Sequence, residues 1–462
     1  MKKIFCFILS LFSLCSYVNS QVALTPFVKG DRVVFAGNSI TEHGYYESYI
    51  WLYYMLHFPQ MRIEVFNGGV GGDVAKQIYA RFDGDILPKK PTVLSVTFGM
   101  NDSRYFEYNK KGAEEQVRKS AVEESYNGFL QIQEKLLGLK NVKKIMMTTS
   151  PYDETMKNSQ NYFPGKSLTI EQIAKFQLEA AKKNKWGFVD MLHPMTSINL
   201  REQKKNPEFT LTGPDRIHPG NGGHLVMAYL FLKAQGLAGK PVADMKIDAA
   251  KKKVVKSVNC TISHVFASGK SFSFDYLAKS LPFPIDTVGR VFMNPQKQCE
   301  ALNLIPFTDE FNKEILSVTG LKGLKYRVSI DDKIIGSWSA GELAKGINLA
   351  VIKTTPQYIQ ASEIMDLNQQ RHDMEWQTRN YYWVEYNFLK DKGLLFNDSE
   401  ATRDTINKYA PTNGWLNAKK SDYEIIRVKQ TREDFYKKMN GLVDEIYQKN
   451  APKKHKITIK QI

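Results

Sequence analysis

Arg32-Val33-Val34-Phe35-Ala36-Gly37-Asn38-Ser39 is a short apolar run that ends in a turn sequence and a serine. Such a run between punctuating residues reads as a buried strand, so Ser39 stands just past a strand end. The next stretch, Thr41 to His57, has no proline and is rich in Tyr, Trp and Leu, which predicts a helix packed on a sheet. A serine at a strand-to-helix corner presents its hydroxyl at the carboxyl edge of a parallel sheet, where open α/β folds place their ligands.

Two more strand ends carry polar loops of the same kind. Arg62-Ile63-Glu64-Val65-Phe66 runs into Asn67-Gly68-Gly69-Val70-Gly71-Gly72-Asp73, where glycines allow tight turning and close approach of the backbone to a substrate. Thr92 to Phe98 delivers Gly99-Met100-Asn101-Asp102, placing the Asn101 amide at the same edge. Far downstream, Asp215-Arg216-Ile217-His218 sets a carboxylate three residues before an imidazole. On one tight turn the carboxylate accepts the Nδ1 proton and fixes the tautomer, which leaves Nε2 to deprotonate a serine.

Taken singly, Gly-Asn-Ser is only a turn, and Asp-x-x-His is common at helix starts. Their joint occurrence behind three predicted strands is what points to chemistry. His43 and His224 lack an acidic residue at the spacing that Asp215 gives His218, and read as structural. Asp73 and Asp102 read as helix caps or loop anchors. Arg104 and Tyr105 either line the pocket or belong to a solvated loop.

In this order the segments resemble blocks I, II, III and V of the SGNH, or GDSL-like, hydrolase family, over about residues 30–238. The resemblance implies a three-layer, flavodoxin-like α/β sheet. It implies Ser39 as nucleophile, His218 as base and Asp215 as its orienting carboxylate, with an oxyanion hole made by Ser39, Gly72 and Asn101. No cofactor is implied. One position departs from the family pattern: Asn38 stands where the family commonly has Asp, which keeps the hydrogen-bonding shape and drops a charge.

The scattered histidines show no metal-ligand spacing, and the Gly68–Gly72 run lacks the Gly-Lys-Ser/Thr ending of a nucleotide-binding loop. Neither metal nor nucleotide is expected. Lys2 and Lys3 before the apolar run Ile4 to Val18 read as a cleavable signal peptide over residues 1–20, with the mature chain starting at Gln21. Leu14 before Cys15 argues against a lipoprotein cleavage box. No later apolar stretch approaches the roughly 20 residues needed to span a bilayer. A soluble exported protein, periplasmic or secreted, is the expectation.

Cys260 and Cys299 remain in the mature chain, paired or free. The formal charge of +16 spreads over solvated lysine clusters such as Lys251-Lys252-Lys253, and no nucleic-acid motif accompanies it. A nucleic-acid partner is therefore not expected.

Beyond a boundary near residue 240, segments such as Val254 to Val258, Ser271 to Phe274, Ile315 to Val318 and Tyr326 to Ile330 favour strands, with a hairpin at Asp331-Asp332. The expected organisation is a hydrolase domain over 21–240, a β-rich, sandwich-like module over 241–340 and a helical region over 341–462 that packs on the hydrolase domain. Trp376, Trp383 and Tyr386 fall on one face of a predicted helix over Pro356–Lys390 and serve either packing or sugar stacking.

Ester hydrolysis is what the resemblance implies. Export and the appended β module point to removal of acetyl or other small acyl groups from carbohydrates. Two rivals stand beside it: a lipase or thioesterase on the same fold, and a non-catalytic glycan-binding protein on a hydrolase scaffold.

Overall fold

The computed structural model of the chain describes residues 24–291 and 294–462, so the leader read at residues 1–20 lies outside the described residues. Strand β1 (Arg32–Gly37) is buried on both faces. Val33 and Phe35 enter one core, and Val34 and Ala36 enter another. That alternation is the pleat's period of two, and apolar side chains on both faces demand a helical layer on each side.

Four strands join it in parallel: β2 (Glu64–Gly69), β3 (Val93–Phe98), β4 (Lys143–Thr148) and β5 (Gly187–Val189), in the order β2-β1-β3-β4-β5. This is the flavodoxin-like order, whose direction reverses between β1 and β3. Loops leaving the carboxyl ends of β1 and β3 diverge there and open a crevice. Helices α1 (Ser39–Glu42), α2 (Tyr45–His57), α3 (Ala75–Ala80), α4 (Glu114–Gly138), α5 (Lys166–Asn184), α6 (Leu192–Gln203) and α7 (Asn221–Ala234) complete the layers. Side chains of α2, α6 and α7 fill one core, and those of α3 and α4 fill the other.

The helix expected over Thr41–His57 is broken in two. Gly44 takes φ +77, and a Cβ there would lie 2.7 Å from His372 Nε2. The left-handed turn lets α1 hold Ser39 at the crevice while α2 turns onto the sheet. All thirteen residues of α2 are buried, as expected of a helix covered on every side.

Strands β6 (Ala243–Asp248), β7 (Lys253–Val258), β8 (Cys260–Ser268), β9 (Ser271–Ala278), β10 (Glu314–Thr319), β11 (Lys325–Ile330), β12 (Lys333–Ser339), β13 (Ile347–Asn348) and β14 (His455–Gln461) form two sheets. Their orders are β13-β10-β6-β7 and β12-β11-β14-β9-β8. Met245, Ile247, Leu316 and Val318 of the first face Phe272, Phe274, Val328, Ile330, Ile457 and Ile459 of the second across one core, as in a sandwich.

The remaining helices are the short α8 (Phe307–Phe311) and α9 (Ala340–Lys345), then α10 (Pro356–Val384), α11 (Glu400–Tyr409), α12 (Gly414–Ile426) and α13 (Lys429–Lys449). Thr355 caps α10 by accepting from the Tyr358 amide, and Pro356 takes its first position. The helix expected to reach Lys390 ends at Val384 and continues as a widened turn over Glu385–Leu389.

The region read as helical from residue 341 also ends in a strand. β14 lies in the middle of the five-stranded sheet, paired to β11 and β9. Ile457 and Ile459 point into the sandwich core, a period-two pattern masked in sequence by its flanking lysines.

Candidate active site

Ser39 is the first residue of α1, directly after Asn38. The Asn38 side-chain oxygen accepts from the Ile40 amide at 3.1 Å and is buried with its residue. An N-cap needs an oxygen acceptor, which Asn supplies as well as Asp does, so the family's usual carboxylate is replaced without loss of the turn.

Asp215 builds the opposite wall. Its Oδ1 accepts from the backbone amides of Ile217 and His218, each at 3.0 Å, and its Oδ2 lies 2.5 Å from His218 Nδ1. His218 Nε2 lies 2.8 Å from Ser39 Oγ. Burial pushes the Asp215 carboxyl up, but the hydrogen bond and charge of His218 outweigh it and hold it below the usual range. An ionised Asp215 fixes the Nδ1–H tautomer and leaves Nε2 as the acceptor facing the serine.

Arg216 makes the turn possible. Its φ is +68, and its buried guanidinium donates to the carbonyls of Asp153, Met156 and Gln160. Those bonds tie the turn to the 153–160 loop and offset an unusual backbone conformation.

Asn101 and Gly72 sit on the two loops between. Asn101 Nδ2 donates to the Asp73 carbonyl at 2.9 Å, and Tyr105 donates its hydroxyl to Asn101 Oδ1 at 2.6 Å. Gly72 has φ +86, with no atom within 4 Å of where a Cβ would stand. Asp102 accepts from the amides of Ala75 and Gly99 and from the Ser125 hydroxyl, which pins the Asn101 loop to the start of α3. Lys166 is buried beneath that loop, donating to Met100 O and Ser103 Oγ at 2.6 Å each, with Nζ 3.7 Å from the centre of the Tyr105 ring.

The other imidazoles pack behind the site. The His43 ring lies 5.2 Å from His218, and its far side meets Trp376 at 5.6 Å. Burial drives the pKa of His43 well below the usual value and that of His224 to about 3, so both remain neutral.

Sequence reasoning missed the residues that the C-terminal helices bring. His372 donates from Nε2 to the His43 carbonyl at 2.8 Å, Glu375 accepts from the Asn67 amide at 2.9 Å, and Arg379 Nε donates to Gly69 O at 2.8 Å. Arg379 also grips the buried Asp85 carboxylate at 2.8 and 2.7 Å, and Arg81 bonds Asp85, Asp73 and the Gly37 carbonyl. Burial pushes the Asp85 carboxyl up, but Arg379, Lys89 and Arg81 outweigh it and hold it well below the usual range. Val70 of the glycine loop sits in the helical core with Tyr381, Trp383 and Val384. Of the stripe, Trp376 packs on His43 and Trp383 on the glycine loop, whereas Tyr386 packs on Phe396 and against Gly84.

Cys260 and Cys299 are free thiols. Among the described residues no cluster of three His, Cys, Asp or Glu side chains could hold a metal ion, and no helix is long and apolar enough to cross a membrane.

A doubly wound parallel sheet with a serine, an imidazole and a carboxylate joined at its switch point defines a hydrolase of the α/β class. The GDSL-like lipase/acylhydrolase family model matches residues 35–226, and that of the diltiazem deacetylase C-terminal helical domain matches residues 362–451. The chain is 47% identical to a gut microbial diltiazem-metabolizing enzyme, BT4096, with a TM-score of 0.93 over 95% of this chain and 99% of that one. It is also 26% identical over 225 residues to an acetylxylan esterase of Geobacillus stearothermophilus, covering 45% of this chain and 94% of the relative. The chain belongs to the GDSL-like lipase/acylhydrolase family, and an ester is its class of substrate.

Proposed function

We propose that the chain is an exported serine esterase that removes acetyl or similarly small acyl groups from a hydroxylated acceptor. The observation that carries this reading is the line of contacts from Ser39 Oγ through His218 to Asp215, at 2.8 and 2.5 Å. His218 Nε2 takes the serine proton as Oγ attacks the ester carbonyl, and Asp215 stabilises the imidazolium. The Ser39 and Gly72 amides and the Asn101 side chain hold the oxyanion. Collapse expels the acceptor alcohol, which takes its proton from His218. Water then attacks the acyl-enzyme with His218 as base, releasing the carboxylate and the free serine.

Acetylated carbohydrate is the proposed substrate, and the acetylxylan esterase relative supports it. A second reading, deacetylation of diltiazem or a similar ester, is favoured by the likeness to the diltiazem-metabolizing enzyme, which extends over the helical region. Acetate release from a panel of acetylated polysaccharides and from diltiazem, with wild type and Ser39→Ala, tests both. Release from one polysaccharide, abolished in the variant, is expected. Release from diltiazem alone moves the assignment to the second reading, and release undiminished in Ser39→Ala removes the serine mechanism. Export is tested by recovering mature protein that begins at Gln21 outside the cytoplasm.

A further inference from the structure

The peptide unit joining Gly71 to Gly72 has two polar edges. Its N–H is the Gly72 amide assigned above to the oxyanion hole, and its C=O belongs to Gly71. In a planar trans peptide the two point in opposite directions. Gly71 O accepts two hydrogen bonds, from Trp383 Nε1 at 3.0 Å and from Asn387 Nδ2 at 2.8 Å. A carbonyl oxygen has two lone pairs, so the helical region supplies a donor for each.

We propose that Trp383 and Asn387 are positioning residues for the esterase reaction: by filling the Gly71 carbonyl they aim and polarise the Gly72 N–H toward the oxyanion. This rests on the assignment of Gly72 to the oxyanion hole. Donation to the carbonyl favours the charge-separated form of the amide and leaves the N–H more positive. Linked hydrogen bonds strengthen one another by roughly 10–30% each in condensed phases.

The geometric effect is the larger one. Oxyanion donors act because they are aimed before the charge develops, and a Gly-Gly pair is the least able to hold an aim by itself. Gly72 stands at φ +86, and a Cβ on Gly71 would lie 3.5 Å from Trp383 and 2.8 Å from the Glu42 carboxylate. Glycine at 71 therefore leaves room for the Glu42 carboxylate, and the two donors fix the peptide plane that glycine leaves free.

The clamp is built by a local irregularity. Trp383 lies in the last turn of α10, and Asn387 lies four residues on in the widened turn over Glu385–Leu389. Widened turns redirect a helix's side chains, and here both donors meet on one atom. One turn earlier, Arg379 holds Gly69 O at 2.8 Å, so the same helix secures both ends of the loop.

The test uses the full chain with Asn387→Ala and Trp383→Phe, singly and combined, on p-nitrophenyl acetate. Each single change should lower kcat by about 3- to 10-fold and the pair by about 10- to 100-fold, short of the roughly 10²- to 10³-fold cost of losing a donor outright. KM should stay within about twofold, because the lost interaction acts in the transition state. Asn387→Gln, which keeps an amide donor, should recover part of the loss.

A second readout does not depend on turnover. Carbonyl-13C glycine combined with 15N glycine creates directly bonded pairs only at Gly68–Gly69, Gly71–Gly72 and Gly222–Gly223. The Gly71 carbonyl signal should move upfield in the variants, while that of Gly222 stays in place. A double variant whose kcat is unchanged within about twofold overturns the inference, as does a loss confined to KM or an unmoved Gly71 signal. If the double variant does not fold, Asn387→Ala alone decides by the same two readouts. Full activity in Ser39→Ala or Asn101→Ala would instead sink the underlying site assignment. Loss in those two with normal kcat in the Trp383 and Asn387 variants would sink this inference alone.

Discussion

Asn101 gives one amide hydrogen to the Asp73 carbonyl and holds its oxygen under the Tyr105 hydroxyl, so its second hydrogen is free for the proposed oxyanion contact. Asn101→Ala should lower kcat by about 10²- to 10³-fold while the protein stays folded at assay temperature, its melting point lowered by loss of the Tyr105 and Asp73 bonds, and a kcat loss below about threefold would contradict the role. The candidate residues Ser39, Gly72, Asn101, Asp215 and His218 could be picked out because they lie in short turn sequences, three of them behind apolar runs; the oxyanion roles of Gly72 and Asn101 stay proposals. The structure brings Ser39, His218 and Asp215 into one hydrogen-bonded line. Trp383 and Asn387 were not legible as partners of Gly71. Nothing near either residue says where a helix more than three hundred positions downstream will land.

Glu314 opens β10, where Tyr276 of the sandwich and Gln357 of α10 both donate to its Oε1, at 2.7 and 2.9 Å. Burial raises its pKa from 4.5 to about 7, against the lowering effect of those two bonds. The native state therefore keeps a proton that the unfolded chain gives up first. This stability is fully present below pH 4.5 and is lost as pH rises through about 7. Glu314→Gln removes the titration, so its urea midpoint relative to wild type should climb between about pH 5 and pH 8 and level off above that range. An offset that does not vary with pH would contradict the assignment.

Elements differed in how clearly they could be read. β1 and β3 announce themselves as apolar runs, whereas the split between α1 and α2 turns on Gly44 and its contact with His372, a tertiary fact. β14 carries a plain alternation, Ile457 and Ile459 inward, yet falls within the region that reads as helical, because Lys456, Thr458 and Lys460 on the other face leave only two apolar residues to show it.

Across the whole molecule, the C-terminal helices are fastened to the catalytic layer by buried charge. Arg379 and Arg81 share Asp85, with no solvent access to the carboxylate. Arg379→Met would leave Gly69 O without its donor and Asp85 one cation short. Breaking a buried pair in this way costs about 3–5 kcal/mol. Urea unfolding should show that loss, with kcat falling alongside it, and a cost under about 1 kcal/mol would place the network among weak surface pairs.

Because β14 completes the sandwich after the helices have crossed the hydrolase layer, the three parts are interleaved in the chain rather than strung in series. That closure was hidden from sequence reading, since it depends on which sheet a terminal strand joins. Ending the chain before His455 removes the strand between β9 and β11. The truncated protein should lose the sandwich's protection in hydrogen exchange, and intact protection there would show β14 to be dispensable.

The proposed mechanism stands on Ser39 as the nucleophile. Its most direct test is treatment of the full chain with a serine-reactive phosphonate, followed by intact-mass measurement and peptide mapping. One adduct on Ser39, formed in step with loss of ester hydrolysis and absent from Ser39→Ala, is the predicted result. Ester hydrolysis that continues while Ser39 stays unmodified, or that survives in Ser39→Ala, would contradict it.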